Sequence, residues 1–174
     1  MKREGWLVWD LNVPSAQINH DLTKFPYPLK DNTVSQIEAT QIFEHLDDWR
    51  STLYECHRML KPGGLIMIQV PHYMGIYAWS HFDHKSAFNA YSMEPFISNP
   101  ARHFLFEETV DAMVHDKARF ELVRRRIMFP KGAWFWGYPL EWVTNLCAYT
   151  QLIHEFWLNG IFKPSGVMFV LKKI

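Results

Sequence analysis

The stretch that most constrains this chain runs from Asp47 to Pro71. Asp47 or Asp48 is placed to cap a helix, and acidic residues suit the positive end of a helix dipole. Trp49, Leu53, Cys56 and Leu60 then fall at i, i+4, i+7 and i+11, on one helical face. Lys61-Pro62-Gly63-Gly64 stops the helix, and the glycine pair reads as its C-cap. Leu65-Ile66-Met67-Ile68-Gln69-Val70 follows, bounded by Gly64 and Pro71. Such an unbroken apolar run reads as a strand buried on both faces, as in a parallel sheet. Helix, tight glycine turn and buried strand form the second half of a βαβ unit. The expected fold is therefore α/β, a mostly parallel sheet flanked by helices.

The remaining elements are read around this unit. Trp6 to Leu11 is expected to be a short strand with Asp10 at its end, and Ala16 to His20 a second one. Val34 to Ala39 reads as a third strand, Phe120 to Phe129 as another and Val167 to Leu171 as the last. Glu107 to His115 and Leu140 to Leu158 read as helices, the latter with Leu140, Val143, Leu146, Cys147, Ile153 and Phe156 inward. His72 to Pro100 has no steady period and reads as an irregular functional loop. No linker or repeat divides the chain, so 1–174 is expected to be one domain. Residues 1–72 would be a partial cofactor-binding half, and 73–174 a substrate or lid region with the terminal strands.

Composition narrows the function. Lys+Arg 18 against Asp+Glu 18 gives no net charge, which argues against a nucleic-acid-binding domain, whose partner's phosphates usually leave a basic footprint. No apolar run reaches the ~20 residues of a membrane span, and the first residues carry no secretory pattern. Cys56 and Cys147 make no metal or disulfide pattern. The expectation is a cytoplasmic protein. Phe 13, Trp 8 and Tyr 7 are an excess of aromatics that any reading must place.

Residues 20–72 carry a resemblance. In order they read His-Asp-Leu-x-x-Phe-Pro-Tyr-Pro from His20, Asp31-Asn32, Ile42-Phe43-Glu44-His45-Leu46, Glu55-Cys56-His57-Arg58-Met59-Leu60-Lys61-Pro62-Gly63-Gly64, and Ile68-Gln69-Val70-Pro71-His72. This is similar to class I S-adenosylmethionine-dependent methyltransferases, in the small-molecule or glycan-modifying branch with the Glu-His-Leu motif. The resemblance implies that Asp10 bonds the cofactor ribose. It implies that Asp21 and Leu22 hold the adenine, and that Ala39 and Thr40 lie beside the methyl-donor pocket. His45 would face the substrate. Lys61 to Gly64 would be a structural turn. Read without the resemblance, Asp10 ends a strand, Asp21 makes an Asx turn and His45 is a hydrogen-bonded histidine beside a helix start.

The chain departs from that family at its start. The family opens with a strand and a glycine-rich loop whose backbone approaches the cofactor and feeds a helix N-terminus. No glycine occurs between Gly5 and Gly63. The missing unit includes the middle strand of the family's sheet, between 6–11 and 34–39. Unpaired backbone there is costly. Three remedies stay open: those strands pair directly, a partner chain or a second copy completes the sheet, or an upstream segment does.

Two further groups invite function. His72, Tyr73, His81, Asp83 and His84 follow a strand's C-terminal end, where an α/β fold keeps its substrate. His72 or His84 is a candidate general base, and His81, Asp83 and His84 a candidate metal set, with no metal as the preferred reading. The aromatic tail from Trp134 to Phe162 reads as a covering layer or as a surface for a glycan, a lipid or an oligomer partner. Arg124-Arg125-Arg126 reads as residues alternating across an edge strand. The leading expectation is methyl transfer from S-adenosylmethionine to oxygen or nitrogen of a small molecule or sugar. The alternatives are a cofactor-free scaffold or partner subunit, and a metal-dependent hydrolase.

Overall fold

The computed structural model describes residues 7, 9, 16–98, 118–130 and 137–174. Asp10, most of the 6–11 strand, the 107–115 helix, His103, His115 and Trp134 to Trp136 lie outside the described residues. Four strands form one sheet: β1 (Val34–Thr40), β2 (Leu60–Pro71), β3 (Phe120–Met128) and β4 (Gly166–Lys173). Their order is β1-β2-β4-β3. β1 runs parallel to β2, whereas β4 runs antiparallel to both β2 and β3. The sheet is thus mixed, and the parallel character expected from sequence belongs to the β1–β2 pair. The chain re-enters beside the end of β2, with Gly166 opposite Pro71, and runs back between β2 and β3. A Cβ at Gly166 would stand 2.9 Å from the Val70 carbonyl oxygen, so only glycine lets β4 enter there.

Helix α1 (Trp49–Met59) begins as the sequence indicates. Asp48 caps it, its Oδ1 accepting from the Ser51 amide at 3.0 Å. Trp49, Leu53 and Cys56 are buried, together with Leu60 just past the end. Each such side chain contributes about 1.5–3 kcal/mol of hydrophobic stabilisation. They meet Ile66, Ile68 and Val70 of β2 and Val167, Phe169 and Leu171 of β4 in one core. The alternate residues of β2, Leu65, Met67 and Gln69, are only half-buried, so the strand has one fully covered face rather than two.

The glycine pair has a different role from the one expected. Helix α1 ends at Met59, and Leu60 to Gly64 already belong to β2. The pairing jumps from Val34 with Leu60 to Gln36 with Leu65, so the extra residues loop out as a bulge. Gly63 supplies the positive φ of +77° that this bulge requires. The 16–20 strand reduces to a single parallel bridge between Trp9 and Ile18, fixed by the Trp9 indole donating to the His20 carbonyl at 2.8 Å.

After β2 the chain forms a short helix α2 (Ile76–Ser80) and a tight 3-10 turn at Glu94–Phe96, within the region read as irregular. The long helix expected over 140–158 is broken. Its pieces are α3 (Gly137–Thr144), α4 (Ala148–Ile153) and a π-helical turn at His154–Leu158. Leu140 is half-buried against the core as expected, but the rest of the inward set is the reverse of the expected one. Glu141, Thr144, Gln151, His154 and Glu155 are buried, while Val143, Leu146, Cys147, Ile153 and Phe156 are exposed. The cause lies in β3, an edge strand. Asn145 Oδ1 accepts from the Ile127 amide and Asn145 Nδ2 donates to the Ile127 carbonyl, both at 2.7 Å. Gln151 donates to the Arg125 carbonyl at 3.0 Å, and Glu141 accepts from the Phe129 amide at 3.3 Å. Polar side chains therefore had to face the strand, and the apolar ones were left outside. No helix among the described residues is long and apolar enough to cross a membrane.

Candidate active site at the strand ends

β1 and β2 are parallel, so their C-terminal ends lie side by side, and each feeds a polar segment. After Thr40 the chain turns through Gln41, whose φ is +54° and whose amide donates to the Gln69 carbonyl at 2.8 Å. A 3-10 turn at Phe43–His45 follows. Buried Phe43 anchors it, Glu44 points inward at 1% exposure, and His45 stays partly exposed. After Pro71 the chain passes through α2 to the loop His81 to Ser86.

That loop docks on the turn. The Lys85 and Ser86 amides donate to the Glu44 carbonyl at 2.7 and 3.2 Å. Lys85 Nζ meets Asp47 at 2.6 Å, and His45 Nδ1 lies 3.0 Å from Asp83 Oδ2. His84 Nδ1 lies 3.0 Å from the Ala78 carbonyl. A carboxylate and a carbonyl only accept, so both imidazoles carry their proton on Nδ1 in the neutral form. Their Nε2 atoms are then left as bases. The two rings stand 4.6 Å apart, centroid to centroid. Burial holds the Glu44 carboxyl above its ordinary range, against the opposite pull of its own amide, His45 and His84.

His72 is placed differently. It is fully buried at the end of β2. Its Nδ1 accepts from the Met74 amide at 3.2 Å, so Nε2 carries the proton and donates to Glu155 Oε1 at 2.9 Å. The same oxygen accepts from the Ala90 amide at 2.8 Å. Both ring nitrogens are engaged, and the residue pins β2 to the π-helical turn. The charged run on β3 is likewise structural at Arg125, which is buried and bonds Glu94 at 2.6 Å and Gln151 at 2.9 Å. Arg126 pairs with Glu141.

Of the residues singled out in the sequence, His45 and His84 come together. Ala39 is buried and Thr40 exposed at the end of β1, just before their turn. Asp21 lies in a separate Asx turn. Its Oδ1 accepts from the Thr23 amide at 2.9 Å and the Thr23 hydroxyl at 2.8 Å, and these bonds hold its carboxyl below the ordinary range. The Leu22 carbonyl accepts from the Tyr27 hydroxyl at 2.9 Å. His81 stacks 5.2 Å from His84, and Asp83 orients His45. Sequence reading missed Glu44 and Glu155. The first stood inside the Glu-His-Leu motif, next to a residue already chosen. The second had no local signal.

Comparison with known proteins follows the same line. Residues 8–68 match a family described as a methyltransferase domain. Over that segment the chain is similar to the methyltransferase-domain family. A search of curated protein sequences found no match. Among solved structures, the chain is similar to the complex between the Haloferax volcanii Trm112 methyltransferase activator and a methyltransferase, at 14% identity and a TM-score of 0.49, covering 88% of this chain and 59% of that one. A SAM-dependent methyltransferase from Archaeoglobus fulgidus gives 18% identity and a TM-score of 0.43, covering 83% and 62%. An S-adenosylmethionine-dependent methyltransferase from Mesorhizobium loti gives 12% and 0.49, covering 92% and 72%. The chain thus spans about three fifths of the length of the first two.

Proposed function

We propose that this chain supplies the acceptor side, and part of the cofactor side, of an S-adenosylmethionine-dependent methyltransferase acting on an oxygen or nitrogen of a small molecule or sugar. The observation that carries this reading is the pair of Nε2 bases, His45 and His84, at the ends of parallel strands within and just beyond the matched segment. When bound, S-adenosylmethionine supplies an electrophilic sulfonium methyl. The chain's own residues supply position and a proton acceptor. His45 or His84 takes the proton from the attacking hydroxyl or amine at Nε2, and Asp83 stabilises the imidazolium at His45. His72 serves the site by holding the end of β2.

Asp21 Oδ1 is occupied by Thr23, whereas Oδ2 has only Lys24 at 3.9 Å, which leaves it to accept from an adenine amine. Leu22 offers an apolar neighbour, and Ala39 with Thr40 a small lining. These fit the adenine and methyl-donor side. No described segment offers a glycine cradle, and no described strand pairs with the outer edge of β1. We assign completion of the cofactor site to a strand and loop that dock on that edge, from an upstream segment or a second chain. The exposed aromatic face of α3 and α4 is a further contact surface in this reading.

Calorimetric titration with S-adenosylmethionine tests it. Saturable binding is expected, weakened about tenfold by Asp21→Ala, the loss of one hydrogen bond to a charged acceptor. No saturable heat would instead favour a cofactor-free, methyltransferase-like partner subunit.

A further inference from the structure

The strand-end cluster holds more than two bases. Glu44 Oε, His45 Nε2 or Nδ1 and His84 each bring one ligand atom, and these atoms lie within 4.8 Å of one another. A point central to three such atoms lies no more than about 2.8 Å from each, against a metal–ligand bond of about 2.0–2.2 Å. Rotamer adjustments of under about one ångström therefore bring all three into the shell of a transition ion.

Glu44 is the independent sign. Both its carboxylate oxygens are buried, and neither has a hydrogen-bond partner in another residue among those described. A buried carboxylate without a partner is expensive, and such groups are normally paired or bound to a metal. The two histidines are already oriented as metal ligands are. Each holds its Nδ1 proton against a fixed acceptor, Asp83 for His45 and the Ala78 carbonyl for His84, which leaves Nε2 free to ligate. This is the outer-shell arrangement that fixes tautomer and ring angle in metal sites. Charge also balances, since Glu44 and Asp83 together match a divalent ion, while Lys85 is paired with Asp47.

We infer that Glu44, His45 and His84 form a binding site for a divalent first-row transition-metal ion. Two imidazoles and one carboxylate suit zinc, cobalt, iron or manganese better than magnesium or calcium, which favour oxygen alone. Three protein ligands leave coordination positions open to water or to an acceptor oxygen. An ion there lowers the pKa of a bound hydroxyl. It would then replace the histidines as the means of ionising the acceptor, so the site deepens the methyltransferase reading but is defined without it. Its partly exposed histidines give the ion a path in.

The test uses the untagged chain, stripped with chelator and titrated with Co²⁺ in the absence of S-adenosylmethionine. One equivalent is expected to produce saturable visible d–d absorption, displaced by Zn²⁺. His84→Ala and Glu44→Gln should each weaken binding at least about tenfold, and Asp83→Asn, which keeps all three ligands, about 10–100-fold with the spectrum retained. Glu44→Gln removes a buried charge, so its metal-free melting temperature should equal or exceed that of the parent, which separates a lost ligand from a lost fold. Absence of saturable absorption in the parent chain overturns the site. So does unchanged affinity in Glu44→Gln. Either result leaves cofactor titration, read separately, free to succeed or fail.

Discussion

The two edges of the sheet are treated in opposite ways. On and just past β3 the alternate residues Arg125, Ile127 and Phe129 turn backbone groups outward, and Gln151, Asn145 and Glu141 meet them in turn. The chain covers that edge with its own side chains. On β1, Ser35, Gln36, Glu38 and Thr40 are exposed, and no described strand lies alongside. An unprotected edge is a template for another strand, and folded proteins usually blunt one. Among the described residues, the chain closes the β3 edge with its own side chains, whereas the outer edge of β1 has no neighbouring strand. The covered edge also explains why α3 and α4 turn polar residues inward: they serve a strand edge, not a hydrophobic face.

The contrast can be broken most sharply at Asn145. Asn145→Ala removes both bonds to Ile127 and the bond to the Glu141 carbonyl, leaving half-buried backbone groups unpaired. A loss of about 3 kcal/mol is expected in urea denaturation; under about 1 kcal/mol, the edge is not held this way. Acid offers a second, smaller lever. Burial holds the imidazoles of His57 and His154 below their ordinary 6.5. They meet Phe120 and Phe129 edge to face, on and just past β3. The unfolded chain therefore binds protons first, so this stability is whole above about pH 6.5 and is lost as pH falls through the folded values. Glu44, whose carboxyl titrates high, acts in the opposite sense. Denaturation midpoints at pH 7.5 and 5.5 should fall with acid in the parent and fall less in His154→Gln. A rise in the parent would break the assignment. The smallest effect belongs to the open edge: Gln36→Ala should change stability by no more than about 0.5 kcal/mol in the same assay.

Where local pattern and tertiary demand agree, the sequence was sufficient. Asp48, Trp49, Leu53 and Cys56 placed α1 because its apolar face does meet the core. The apolar runs of β2 and β4 are strands for the same reason. The 140–158 segment misled because periodicity presumes that the buried face is apolar, and an edge strand reversed that need. The Gly63-Gly64 pair looked like a helix cap because a bulge, like a cap, takes a glycine at positive φ, here Gly63. In the candidate site, His45 and His84 were legible singly. Their meeting with Glu44 depends on a loop some forty residues downstream donating to the Glu44 carbonyl, and no local pattern reports that. His72 was legible as a strand-end residue, but its burial comes from Glu155, 83 positions away.

The strand order also carries a message about synthesis. β4 occupies the middle of the sheet yet follows every other strand in the chain. Until it emerges from the ribosome, β2 and β3 have no common neighbour, and β1 with β2 is the only pair available among the described strands. The nascent chain must therefore hold the apolar face of β2, with Ile66, Ile68 and Val70, without its β4 partners for about a hundred residues of elongation. Truncation before Gly166 should leave a chain that chaperones retain, whatever the integrity of the site built upstream.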